Sequence, residues 1–229
     1  MSVLLNEGNY AVIIGDIINS KQITNRNEVQ KKLKEVLGEI NNRYIKDIAA
    51  KFMISLGDEF QGLIRNQGNI IKIISEVERE LEPVKLRFGV GIGNVSTDIN
   101  LDNSLEIDGP AYYRARKMIQ ELERKKSQYT ESDSNIMVCF SDEGSEVNEL
   151  INAALGVCAT IKSKWSARQN EIINIYLSND ENQYKTAEML NIAQSSVNRA
   201  LNNASFYAYK AVMDNIEKFL EQEGGGFSV

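Results

Sequence analysis

The 229-residue sequence predicts an α+β protein: a sheet with helices in the order βαββαβαβ, followed by an all-helical segment. Three observations carry that prediction. Short β-branched runs alternate with helix-period stretches up to residue 140. Two apolar runs flank a tight Gly57-Asp58-Glu59 turn, the pattern of a hairpin. Beyond Phe140 the apolar residues recur only at helical spacing.

Tyr10 to Asp16 is a short apolar run and reads as a buried strand. Val29, Leu33, Val36, Leu37 and Ile40 then predict a helix within Asn25–Tyr44, with Asn25 and Glu28 as a capping pair. Lys51–Leu56 and Phe60–Ile64 are the hairpin strands. Ile70, Ile73, Ile74, Val77 and Leu81 line one side of a second helix, which Pro83 stops. Leu86 to Gly93 alternates Gly with larger residues, as a strand does when something packs closely on it. Gly109-Pro110 opens a third helix reaching about Lys125, and Ile136–Phe140 is the last strand. This order belongs to the ferredoxin-like or palm group. Helices are expected at 150–164, 165–176, 183–202 and 206–222. The expected boundaries are 1–145 for the sheet domain, 146–222 for the helical domain and 223–229 for a flexible tail.

Composition restricts the chemistry. With 42% hydrophobic and 25% charged residues the chain reads as soluble and globular. No segment approaches the roughly 20 apolar residues that span a bilayer, so no membrane insertion is expected. Cys139 and Cys158 lie among apolar neighbours and read as buried thiols of a reducing compartment, hence a cytoplasmic location. There is no histidine, which removes the usual neutral-pH base and the commonest zinc ligand. A net charge of −6 argues against nucleic-acid binding by the whole surface, though not by a local basic face.

Carboxylates are the remaining candidates. Asp16 ends the first strand, and Asp58 and Glu59 sit at the hairpin tip. If those strands are neighbours, three carboxylates meet at one edge of the sheet. An all-oxygen set suits Mg²⁺ or Mn²⁺ and fits phosphoryl transfer. Lys21 and Arg116 could then grip outer phosphates, and Gly57 would let a phosphate approach the backbone. Simpler readings exist for each. In these, Lys21 only faces solvent, Arg116 pairs with Glu121 or another carboxylate, and Arg87 is an internal partner of Asp58 or Glu59. Asp98 and Asp108 suit loop and helix caps, and Tyr112 and Tyr113 suit packing more than base stacking.

Asp16-Ile17-x-x-x-Lys21, Gly57-Asp58-Glu59-Phe60 and Ala111-Tyr112-Tyr113-Arg114-Ala115-Arg116 resemble, in order and spacing, a GGDEF-type palm domain and the related class III nucleotidyl cyclases over residues 8–141. The resemblance implies metal ligation by Asp16, the Ile17 carbonyl and Asp58, phosphates against Gly57, and phosphate contacts from Lys21 and Arg116. Three positions depart from it. Leu56 replaces the first Gly, Ile54 falls where cyclases read the base, and Tyr113 replaces their transition-state Asn. The likeness therefore implies metal and phosphate binding more than base reading. More specifically, Gly15–Lys21, Gly57–Leu63, Arg87–Gly93 and Asp108–Arg116 together resemble the SatD family, a bacterial group of poorly defined function.

Thr186 to Arg199 has the anatomy of a helix-turn-helix, with Ala187 at the helix crossing, Asn191 in the turn, and Ile192 and Val197 in a shared core. Gln194, Ser195, Ser196, Asn198, Arg199 and Asn202 would then face outward, as short polar groups suited to a DNA major groove. Such modules also serve protein contacts. Residues 151–229 carry seven Lys and Arg against eight Asp and Glu, so one copy would bind DNA weakly and a homodimer is expected. The combined expectation is a regulator that binds Mg²⁺ (or Mn²⁺) and a nucleoside triphosphate or related nucleotide in the palm, and DNA through the helices. The enzyme alternative is a nucleotidyl cyclase or nucleotidyltransferase using two metals.

Overall fold

The structure, a computed structural model, describes residues 9–55, 57–65, 67–128, 134–141 and 145–224. Five strands alternate with three helices in the expected order: β1 (Tyr10–Ile17), α1 (Arg26–Arg43), β2 (Ile48–Ile54), β3 (Glu59–Ile64), α2 (Ile70–Leu81), β4 (Leu86–Gly93), α3 (Pro110–Gln128) and β5 (Ile136–Cys139). They form one sheet in the order β2-β3-β1-β4-β5. Strands β1 to β4 pair antiparallel with one another, and β5 runs parallel to β4. Leu56, which ends the expected first hairpin strand, lies outside the described residues.

Alternation along β1 sorts its side chains between two cores. Ala11, Ile13 and Ile17 pack with Leu33, Val36 and Leu37 of α1 and Ile70, Ile73 and Ile74 of α2. Val12 and Ile14 pack with Ala111, Ala115 and Ile119 of α3. Asp16 continues the second set, so the fold delivers its carboxylate to the α3 side at the end of the sheet. The glycines of β4 set the helix distance. A Cβ at Gly91 would lie 2.1 Å from the Ala111 carbonyl oxygen, and one at Gly89 2.3 Å from that of Ala115. The close packing expected from the glycine alternation is thus made by α3.

Helices follow as α4 (Glu146–Ser163), α5 (Ala167–Ser178), α6 (Gln183–Leu190), α7 (Gln194–Asn203) and α8 (Phe206–Gly224). The periodic stretch 183–202 is two helices, because Asn191 takes φ 50°, ψ 47° and closes α6 through its N–H to the carbonyls of Ala187 and Glu188. Ile151, Leu155 and Cys158 of α4, with Met213, Ile216 and Leu220 of α8, belong to the core of α1 and α2. Residues on both sides of position 145 therefore share one core. A separate cluster, built from Ile172, Ile173, Tyr176, Ala187, Val197, Leu201 and Phe206, holds α5, α6 and α7 together. Burial pushes the Cys158 thiol up, which leaves it inert as expected of a core thiol. Helix α8 includes the first two residues of the expected tail, and 225–229 lie outside the described residues.

α4 also protects an edge. Asn152 accepts a hydrogen bond from the Val138 N–H and donates one to its carbonyl, both at 2.8 Å, while Asn148 accepts from the Phe140 N–H at 2.8 Å. These i, i+4 amides occupy the open side of β5, where unpaired backbone would otherwise invite another strand. Lys162 at the other end of α4 donates to Glu78 of α2 at 2.8 Å. No helix among the described residues is long and apolar enough to cross a membrane.

Candidate functional site

Register assembles the site. Asp16 lies directly opposite Glu59 of β3 on one side and Arg87 of β4 on the other. Directly opposed residues share a face, so Glu59, Asp16 and Arg87 form a row across three strands. Helix α3 lies on that face and contributes Arg116 and Glu123, two turns apart on one side of the helix.

Two ion pairs organise the row. Arg87 donates to the Asp16 Oδ2 from Nε at 2.7 Å and from Nη2 at 2.6 Å, and Nη2 is also 3.1 Å from Glu123. Arg116 donates to both carboxylate oxygens of Glu59, the Nη2–Oε1 contact being 3.0 Å. Glu59 is further fixed by the Ser55 hydroxyl, which donates to its Oε1 at 2.8 Å. Both Arg87 contacts end on one oxygen of Asp16, which leaves Oδ1 open to another cation.

Burial raises the Asp16 carboxyl above the usual range, and Arg87 offsets this only in part. The charges of Asp58 and Glu123 raise it further. Asp58 adjoins Glu59, the residue directly opposite Asp16, so the register brings the two aspartates to the same end of the sheet. Asp58 has no ion-pair partner among the described residues. A divalent cation between the two would relieve both the repulsion and the burial cost.

The hairpin tip is built for close approach. Gly57 has φ +66°, and a Cβ there would stand 3.1 Å from the Arg26 guanidinium. Its carbonyl accepts from the Gln30 Nε2 at 2.6 Å. The first turns of α1 thus brace the tip. Another side of the same turns, with Asn25, Glu28, Val29 and Lys32, lines an open cavity of about 670 Å³. Ile18, Asn19, Gln22 and Ile23 after β1 and the stretch Glu80, Leu81, Glu82, Pro83, Val84 and Lys85 before β4 complete its walls, so three carboxylates, Glu28, Glu80 and Glu82, face two lysines there.

The SatD family model matches residues 10–218. The chain belongs to the SatD family. No curated protein matches it. Among solved structures it is similar to a bacterial light-regulated adenylyl cyclase, at 15% identity and TM-score 0.40 over 57% of this chain and 75% of that one. It is similar to the guanylate cyclase domain from Catenaria anguillulae in complex with GTP, at 14% identity and TM-score 0.36 over 49% and 72%. It is also similar to a regulator of polyketide synthase expression from Bifidobacterium adolescentis, at 12% identity and TM-score 0.32 over 94% and 81%.

In this SatD-family chain, Asp16, Ile17, Gly57, Asp58, Glu59 and Arg116 gather at one end of the sheet. Glu59 and Arg116, expected in separate roles, are bound to each other. Lys21 lies exposed in a short 3-10 turn, Ser20–Gln22, that follows β1. Among the described residues no three or more Asp, Glu or Cys groups are arranged to hold a metal ion. Mg²⁺, however, is commonly held by one or two carboxylates with the remaining positions given to phosphate and water. Asp16 and Asp58 are the carboxylates that could act in that way, since Glu59 is already paired with Arg116.

Of the two readings open for Arg87, the internal ion pair is the one found, with Asp16 and Glu123 as partners in place of Asp58 or Glu59. Glu123 was missed, although its seven-residue spacing from Arg116 was the available signal. Asn25 and Glu28 pair side chain to side chain at 2.9 Å, without a side-chain cap on the helix N–H groups. Tyr112 is buried with its hydroxyl on the Ser104 carbonyl, and Tyr113 is exposed with its hydroxyl on Asp108.

On α7, Ser195, Ser196, Asn198, Arg199 and Asn202 are exposed, while Val197 and Leu201 are buried. Gln194 is half-buried and donates to the Gln183 carboxamide of α6. Ser196 and Arg199 also border an open cavity of about 510 Å³ against α5, floored by Ile172, Ile192 and Ala200 and bordered by Arg168.

Proposed function

We propose that this SatD-family protein is a regulator that binds a divalent cation, Mg²⁺ or Mn²⁺, together with a phosphate-bearing nucleotide at the end of the sheet. The supporting observation is the approach of Asp16 and Asp58 beside the positive-φ turn at Gly57. Asp16 Oδ1, the Ile17 carbonyl and Asp58 are the oxygens that would hold the cation, which when bound neutralises phosphate charge. Gly57 admits a phosphate to the backbone, and Lys21 and Arg26 supply nearby positive charge. Arg116 orients Glu59 and can exchange that partner for a phosphate. The cavity beside α1 offers apolar walls from Ile18, Val29 and Leu81 and amides from Asn19, Gln22 and Asn25; lined also by Glu28, Glu80 and Glu82, it suits the uncharged nucleoside part and not the phosphates.

In the same reading α6 and α7 act as a helix-turn-helix, with Ser195, Ser196, Asn198, Arg199 and Asn202 toward DNA and Gln194 securing the turn. Two copies would be required for tight binding. Nucleotide changes DNA affinity only if it favours one arrangement of the helices over another.

The test is a thermal-shift screen of nucleoside triphosphates with and without Mg²⁺. Mg²⁺-dependent stabilisation by a nucleotide, absent in Asp58→Asn, is the expected result, because binding to the native state alone raises the melting temperature. No stabilisation by any nucleotide overturns the reading. Pyrophosphate release by the wild type, lost in Asp58→Asn, would replace it with the nucleotidyl cyclase or nucleotidyltransferase alternative.

A further inference from the structure

α4 hides one face in the core and leaves a second apolar line outside. Leu150 is 72% exposed, Val157 60% and Val147 41%, with half-buried Ile161 and with Ala154, which also touches the core at its inner edge, on the same side. Their spacing, 147-150-154-157-161, alternates three and four residues, the seam of paired helices. Amphipathic packing onto the protein's own core does not require the exposed members of this line, because Ile151, Leu155 and Cys158 already meet that core. A contiguous exposed apolar stripe of this kind marks an interaction surface.

The stripe is nearly palindromic about Ala154, with apolar residues four and seven positions before it and three and seven after it. A helix face with that symmetry is complementary to itself when turned end over end, the relation required by a two-fold contact. Charge follows the same symmetry. Glu146 and Glu149 occupy the first turn, while Lys164 caps the far end. Antiparallel pairing sets each acidic end beside the other copy's basic end and opposes the two helix dipoles. Gly156, whose absent Cβ would meet open space, keeps the flank of the stripe low.

We propose that α4 packs antiparallel against α4 of a second copy of this chain, with Leu150 and Val157 at the centre and Ala154 near the two-fold axis. The contact is independent of the nucleotide reading. The paired helices, 18 residues each, are about 27 Å long. A contact of that length lies at the small end of stable interfaces, so dimerisation depends on concentration.

Sedimentation velocity over a concentration series tests this, the expected mass rising from 25.8 kDa toward twice that value. Leu150→Glu with Val157→Glu is expected to weaken self-association by about tenfold or more, since each charge would be buried at the contact. Met189→Glu, at an exposed apolar position on α6, is expected to leave it unchanged. All substituted positions are exposed, and unchanged circular dichroism and melting confirm folding. Orientation is read by oxidative crosslinking. Leu150→Cys with Val157→Cys should link two copies, and Leu150→Cys alone should not. A wild type that stays monomeric at every concentration, a doubly charged variant that dimerises normally, or ready crosslinking through Leu150→Cys alone would each overturn the proposal.

Discussion

Arg87 and Asp16 face each other across β4 and β1, and the guanidinium lies 2.6 Å from the carboxylate with Glu123 as a second acceptor at 3.1 Å. Arg87 therefore stands where a cation would neutralise Asp16, and it has another partner to turn to. In the proposed reading, a divalent ion at Asp16 would compete with Arg87 for its charge.

Arg87→Gln separates these roles. Both side chains of the pair are mostly covered, so removing the guanidinium is expected to lower unliganded stability by about 1–3 kcal/mol. The stabilisation by Mg²⁺ with nucleotide should grow, because Asp16 no longer has a resident partner. Urea unfolding and thermal shift with and without Mg²⁺ measure the two effects. A smaller Mg²⁺ effect than in the wild type would show that Arg87 assists the cation.

Gly91→Ala is expected to cost about 3 kcal/mol or more, or to prevent folding. The new methyl would lie 2.1 Å from the Ala111 carbonyl oxygen and 2.4 Å from the Ala115 nitrogen, both backbone atoms of α3. Gly156→Ala is the control, as a Cβ there meets nothing within 4 Å. It should be neutral or slightly stabilising through helix propensity. Denaturant midpoints compare them.

Asn152→Leu removes both amide bonds to Val138 and leaves an edge N–H and carbonyl without partners. The expected loss is about 1–3 kcal/mol. Exposed strand edge should also appear as increased aggregation during refolding, read by light scattering.

Stability should depend on pH through Glu217. Burial raises this α8 carboxyl above 4.5, and Lys72 of α2 offsets the shift only in part through its N–H and ammonium. A raised carboxyl pKa means that the folded chain holds the proton more tightly than the unfolded chain. Its stabilising contribution is full below about 4.5 and declines as pH rises through the folded value. Glu217→Gln should abolish this component, so the variant gains relative to the wild type as pH rises above about 4.5. Urea unfolding across that range measures it. A wild-type-to-variant difference that does not change with pH would contradict the assignment.

Much of the fold was legible because each element has a short-range signature. Strand runs bounded by turns, helical apolar spacing and the Gly89–Gly91 alternation each reflect contacts made by neighbouring turns or pleats. The turn at Asn191 was legible for the same reason, since a left-handed residue is a local demand. The site was legible only as a set of residues. Asp16, Asp58 and Glu59 could be named as carboxylates at strand ends and Gly57 as the turn between them, but their partners could not.

The sequence alone determined the βαββαβαβ succession, the histidine-free chemistry and the close seat for a helix on β4. Tertiary structure decided which charges meet. Arg87 is 71 positions from Asp16, and Arg116 is 57 from Glu59. Such pairings depend on strand register and on the face that α3 covers, and a shift of one residue would send each side chain to the opposite face. Folding also placed α4 in the core of the sheet while leaving Leu150 and Val157 outside it, because one helix has two sides and periodicity does not say which neighbour takes each.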